Sequence, residues 1–235
     1  MTDINKHYRE LGQKSYEILN ESLDSKRLEI IAKSHSAIFD YNSFIEIIKE
    51  RPEYDILRIA LREYQISLLS VNIGLYNQAF ISLRFFFERT LVAFLFSSKE
   101  LDLRLWQRGE RDTYWNEIVD DDKGVFSNSF CRAFFLDLKD ESIHYKNMTK
   151  KVYRECSEYV HGNLTVQDKI PETLEFNEFL FLEWHAKANT IRRIVLFVFC
   201  LRYLNFIKVN SLKGMEAIII EEFGHLPAIN AIFNK

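Results

Sequence analysis

Glycine and proline are scarce in this chain, seven and three among 235 residues. Tight turns are built from those residues, so too few are present for a sandwich, a barrel or a glycine-looped nucleotide fold. What remains is an all-α protein. Cysteine is scarce too: Cys131, Cys156 and Cys200 are odd in number, far apart and set among apolar neighbours. That pattern predicts reduced, buried thiols and no disulfide framework. Charge of one sign is missing, since 31 basic against 34 acidic side chains leave a net charge of −3. Nothing draws the whole molecule to phosphate, and any contact with nucleic acid has to be a local patch. No apolar run approaches the ~20 residues of a bilayer span. The longest, 194–201, is closed off by Arg192, Arg193 and Arg202. Residues 1–7 show no basic segment followed by an apolar run, which predicts no secretory signal and a cytoplasmic protein without membrane contact. There is no His-x-x-x-His, no Cys-x-x-Cys, and no calcium-loop spacing around Asp120, Asp121 and Asp122. No metal and no cofactor are predicted.

What is present is apolar mass: 47% of residues are hydrophobic, enough for one domain with a substantial core. Over residues 1–50, Leu11, Ile18, Leu19, Leu23, Leu28, Ile31, Ala32 and Ile38 recur at helical spacing in a polar background. This predicts an N-terminal helical extension lying against the rest. A core bundle is predicted over 53–208, with helices at about 53–73, 76–98, 141–161 and 174–208. A weaker excursion over 99–140 holds a short helix near 126–138. Short helices at about 215–223 and 228–233 fill 209–235. The expected architecture is an up-and-down helical bundle, with the almost entirely apolar 76–98 helix at its centre.

Chemistry concentrates on the helix 141–161. At about 100° per residue, Tyr145, Met148, Val152, Tyr153, Cys156, Tyr159 and Val160 form an apolar arc. Lys146, Lys150, Arg154, Ser157 and His161 form the opposite flank, and Arg154 and His161, two turns apart, project from nearly one line. Gly162 and Asn163 follow, residues that tolerate the left-handed turn closing a helix. A guanidinium grips phosphate in a fork, while an imidazole, titrating near ~6.5 in water, moves protons at neutral pH. Together they are a minimal kit for cutting RNA with its own 2′-hydroxyl as nucleophile. Lys146 and Lys150 would add phosphate contacts.

The segment from Tyr153 to Gly162, Y-R-E-C-S-E-Y-V-H-G, resembles the Arg-x4-6-His signature of HEPN-domain proteins. The earlier A-F-I-S-L-R-F-F-F-E, Ala79 to Glu88, is similar to the "Leu-Arg-x-x-x-Glu" helix of several branches. The resemblance covers mainly residues 55–207. It implies a helical bundle that pairs as a homodimer, bringing two Arg/His sets together across the interface. It also implies a metal-independent endoribonuclease of an antiviral defence or toxin system, acting on single-stranded RNA or tRNA and answering to a neutralising or effector protein partner. Arg154 would hold the phosphate and His161 would transfer protons, with Arg84, Glu88, Ser157 and Asn163 in support. Catalytic members commonly carry Asn, Asp or His directly after the arginine, whereas this chain has Glu155.

Plainer readings stand beside these. His161 is also what a helix C-terminus favours electrostatically, and Arg154 with Glu155 or Glu158 is an ordinary surface ion pair. Arg84 and Glu88, on so apolar a helix, would pair with each other or with the motif helix to fix register, or Glu88 would orient His161 or Arg154. His144 and His185 read as structural, and Phe85, Phe86 and Phe87 as core. The alternatives to a nuclease are a non-catalytic HEPN-like module binding a protein or nucleotide, and a scaffold subunit of a larger complex.

Overall fold

In the computed structural model, which describes residues 3–212 and 214–234, every regular element is helical. The order is α1 (Ile4–Ser22), α2 (Leu28–Ile47), α3 (Tyr54–Asn72), α4 (Tyr76–Phe96), α5 (Glu100–Gln107), α6 (Trp115–Ile118), α7 (Asn128–Phe134), α8 (Lys139–Val160), α9 (Leu164–Gln167), α10 (Glu178–Tyr203), α11 (Glu216–Phe223) and α12 (Pro227–Phe233). Single 3-10 turns lie at Leu136–Leu138 and Val209–Leu212. Among the described residues, no helix is long and apolar enough to cross a membrane.

Five helices close a ring in which α2 rests on α3, α3 on α4, α4 on α8, α8 on α10, and α10 on α2. A further contact, α4 to α10, crosses the middle. The sequence accounts for this: α4 buries Phe80, Leu83, Phe87, Leu91 and Phe94 completely, and α10 does the same with Trp184, Phe197, Val198 and Phe199. Helices with so many fully buried apolar side chains have to be central. Phe85 departs from the expected core triplet, since it faces outward with the Arg89 guanidinium 5.7 Å from its ring, while Phe86 and Phe87 are buried. The α3–α4 hairpin turns at Gly74, whose φ of 82° suits glycine. A Cβ there would lie 3.1 Å from Ile18 Cδ1 and 3.2 Å from the Glu175 carbonyl. At the far end of α4, Arg51 and Arg202 both donate to the Ser97 carbonyl, at 3.2 and 3.0 Å. Two guanidinium groups thus close the negative end of the central helix.

Two expectations need correction. Only α1 is an extension; α2 belongs to the core, burying Ala37, Tyr41, Phe44 and Ile45. The polar residues between these positions diluted the apolar signal of 1–50. The last long helix starts at Glu178 and not near 174, because Asn177 caps it: its side chain accepts from the Leu180 N–H at 3.0 Å, and its own N–H donates to the Tyr76 hydroxyl at 2.6 Å. Cys131, Cys156 and Cys200 are free and buried as expected, and burial pushes the Cys156 thiol up to about 12.

Candidate functional site

The motif helix α8 is wedged between two neighbours. One side packs on α4 and α10: Tyr159 stacks on Phe80 with centroids 3.8 Å apart, and Tyr145 stacks on Phe197 at 3.9 Å. The other side is covered by the excursion that carries α6. Trp115 stacks on Tyr153 at 3.4 Å, and the Ser142 hydroxyl donates to the Phe126 carbonyl at 3.0 Å. Part of the flank that the helical wheel leaves open is therefore closed.

That covering corrects the place of several residues. Lys146 is buried with its ammonium on Asp121, so it is spent on holding the loop and is withdrawn from any phosphate. Hydrogen bonding to Lys146 in turn keeps the Asp121 carboxyl below the usual carboxylate range. Ser157 is buried too, its hydroxyl donating to the Tyr153 carbonyl at 2.7 Å, a local bond within the helix. Lys150 stays exposed.

Arg84 and Glu88 form the paired polar layer and do not reach for His161. They lie 3.6 Å apart; Arg84 donates to the Tyr153 hydroxyl at 2.6 Å, and that hydroxyl donates to Glu88 at 3.5 Å. The guanidinium carbon also sits 4.8 Å from the Tyr153 ring centroid. Burial raises the Tyr153 phenol, so it stays protonated at neutral pH. The link from α4 to the motif helix runs through Tyr153 rather than through either proposed catalytic group.

Arg154 and His161 remain. Both are exposed, and neither side chain has a hydrogen bond or ion pair among the described residues. The surface ion pair weighed for Arg154 does not form: Glu155 instead meets Lys187 of α10 at 2.7 Å. His161 is the C-cap of α8. Gly162 follows at a φ of 64°, and the Asn163 N–H returns to the Glu158 carbonyl at 3.2 Å. This is the six-to-one bond of a Schellman motif, and it fixes where the imidazole leaves the helix. Seven residues along a helix separate the two side chains by about 10 Å of rise and about 20° of rotation. The Asn163 carbonyl also accepts the N–H groups of Val166 and Gln167 at 2.9 Å.

Sequence reasoning missed two polar clusters. Lys187 bonds Glu155 at 2.7 Å and Glu183 at 3.1 Å in the α8–α10 groove. Burial works against its ammonium, but the two carboxylates prevail and hold its pKa above the usual value. The i,i+4 spacing of Glu183 and Lys187 was the available signal. The second cluster surrounds His185, whose Nδ1 lies 2.6 Å from the Ser34 hydroxyl of α2. Their separation of 151 residues leaves no local pattern to read. His144 is exposed. No group of three His, Cys, Asp or Glu side chains among the described residues is placed to hold a metal ion.

Compared with protein-family models, curated proteins and solved structures, the chain matches none.

Proposed function

We propose that this chain is a HEPN-like endoribonuclease that cuts RNA without a metal ion, with Arg154 binding the scissile phosphate and His161 transferring protons. The observation that carries the reading is that these two side chains stand exposed and unpartnered among the described residues, two turns apart on one line of α8 and its C-cap, while Lys146, Ser157, Arg84 and Glu88 are engaged. In the reaction the 2′-oxygen bonds to phosphorus, its proton passes to a base, and the 5′-oxygen leaves with a proton from an acid. One copy offers one imidazole. A homodimer formed along α8 supplies the second, and the outward strip of Ile143, Asn147, Lys150, Arg154 and His161, with exposed Leu164 beyond it, is the surface available for that pairing. Cytoplasmic RNA, single-stranded or tRNA, is the substrate of this reading, and a defence or toxin system with a neutralising or effector protein is its setting.

The test is incubation with tRNA and with single-stranded RNA in EDTA. Cleavage leaving 2′,3′-cyclic phosphate ends, lost in both Arg154→Ala and His161→Ala, is the expected result. No cleavage, or cleavage indifferent to His161→Ala, removes the catalytic reading.

One observation favours a second reading, a non-catalytic module that binds a protein or nucleotide. No described side chain orients His161, because Glu88 is held by Arg84 and Tyr153, and Ser157 by the helix backbone. Binding that survives loss of both Arg154 and His161 would single out that reading.

A further inference from the structure

A cleft of about 400 Å³ opens between α3, α4 and the segment that carries Trp106 and Thr113. Buried Ile56 and Val92 line it, together with Ile59 and Phe85, which stay exposed. Phe85 is the member of the aromatic triplet that the core leaves out. Its ring and the indole of Trp106 therefore bring aromatic surface to a space that solvent can enter.

Two neighbours on α4, Glu88 and Arg89, line the same cleft with opposite charges. Each is anchored by groups that do not line it. Arg89 donates through Nη1 to Glu63 at 2.7 Å, while Arg84 and the Tyr153 hydroxyl both meet Glu88 at Oε2. Anchoring thus uses only part of each group. Arg89 Nε and Nη2 and Glu88 Oε1 have no hydrogen-bond partner among the described residues, and none of them belongs to the unpaired polar atoms that are sealed from solvent. The Arg89 side chain is 43% exposed and that of Glu88 20%, so a molecule in the cleft can reach both.

A held guanidinium and a held carboxylate in one hydrocarbon-lined cleft define the chemistry of a guest. An anion is attracted by Arg89 but repelled by Glu88, and a cation meets the reverse. A zwitterion is favoured by both, its carboxylate accepting charge-assisted bonds from Arg89 and its ammonium donating to Glu88. The aliphatic and aromatic lining calls for an apolar body on the same molecule. The volume lies within the ~300–1,000 Å³ of small-molecule sites.

We propose that this cleft binds a free α-amino acid with a large apolar side chain, its carboxylate on Arg89, its ammonium on Glu88 and its side chain against Ile56, Val92 and Trp106. The site is distinct from the Arg154/His161 pair and stands or falls without the nuclease reading.

Phenylalanine is the probe, titrated calorimetrically into the full chain at neutral pH, beside phenethylamine, which lacks the carboxylate, and 3-phenylpropionate, which lacks the ammonium. Phenylalanine is expected to bind with a dissociation constant of about 1 mM or tighter, and each analogue at least about tenfold more weakly. Arg89→Gln is expected to bring phenylalanine to the level of phenethylamine without weakening phenethylamine itself. Glu88→Gln is expected to bring it to the level of 3-phenylpropionate without weakening that analogue. Glu88 also belongs to the polar layer with Arg84, so folding of its variant is checked by circular dichroism; should it fail to fold, the analogue series and Arg89→Gln decide the matter. No binding of phenylalanine up to about 10 mM, binding of either analogue as tight as that of phenylalanine, or an Arg89→Gln substitution that spares phenylalanine or weakens all three ligands alike overturns the proposal.

Discussion

Tyr153 and Arg154 are adjacent in the chain, yet the fold treats them in opposite ways. The Tyr153 phenol is gripped by Arg84 and Glu88 and stacked on Trp115, whereas the Arg154 guanidinium has no partner among the described residues. The same division separates Lys146, sunk onto Asp121, from Lys150 one turn on, left in the open. Tyr153 and Lys146, drawn inside, tie α8 to its neighbours, whereas no hydrogen bond or ion pair ties the Arg154 or Lys150 side chain to the fold among the described residues. Stability and activity should therefore respond to different residues, and that separation can be tested.

The largest effect is expected at Arg84→Ala. It strands the Glu88 carboxylate, 20% exposed, beside an apolar helix, and should cost about 3 kcal/mol of unfolding free energy in urea. A loss no larger than that of an ordinary surface substitution would mean that the layer is not a register device. Next comes pH. Because burial holds folded His185 near 4 while the unfolded chain takes up its proton near ~6.5, the unfolded state binds more protons between those values. Stability is then complete above about pH 6.5 and falls progressively toward pH 4, by at most about 3 kcal/mol from this group. His185→Gln should flatten that part of the profile. Tyr153→Phe keeps the stack on Trp115 and removes only the hydroxyl, so about 1–2 kcal/mol should be lost. Smallest of all, Arg154→Ala and His161→Ala should leave the urea midpoint unchanged while abolishing any RNA cleavage. A substantial stability loss at either would place it with Tyr153 and sink the division.

Legibility in the sequence follows the same line. Positions that pack along a single helix were readable from periodicity: Tyr145, Val152, Cys156 and Tyr159 are buried as the wheel of α8 predicts, and the apolar coat of α4 marks it as central. What periodicity could not convey was which second surface closes over a helix. Lys146 falls on the polar flank of α8, but the segment containing Trp115 and Asp121 folds back over it. The contact joins residues 25 apart through a chain with weak helical pattern. α2 was misjudged for a related reason, since one narrow stripe through Tyr41 and Ile45 suffices when two helices, α3 and α10, flank it. At the candidate site, the line shared by Arg154 and His161 followed from helix arithmetic. The contact of His185 with Ser34, 151 residues away, is one that no spacing announces.

The anchoring of α1 has a practical consequence. Residues 3–14 are exposed throughout, and the helix is held by its final turns, where Ile18 is buried and the Ser22 hydroxyl donates to the Asn72 carbonyl at 3.0 Å. Three turns supported by little beyond their own backbone ladder are marginal in water. Trypsin cutting at Lys6, Arg9 or Lys14 would release them while everything behind Ile18 stays folded. The protein thus carries a sacrificial stretch, and a nicked preparation of slightly lower mass would still be the intact bundle.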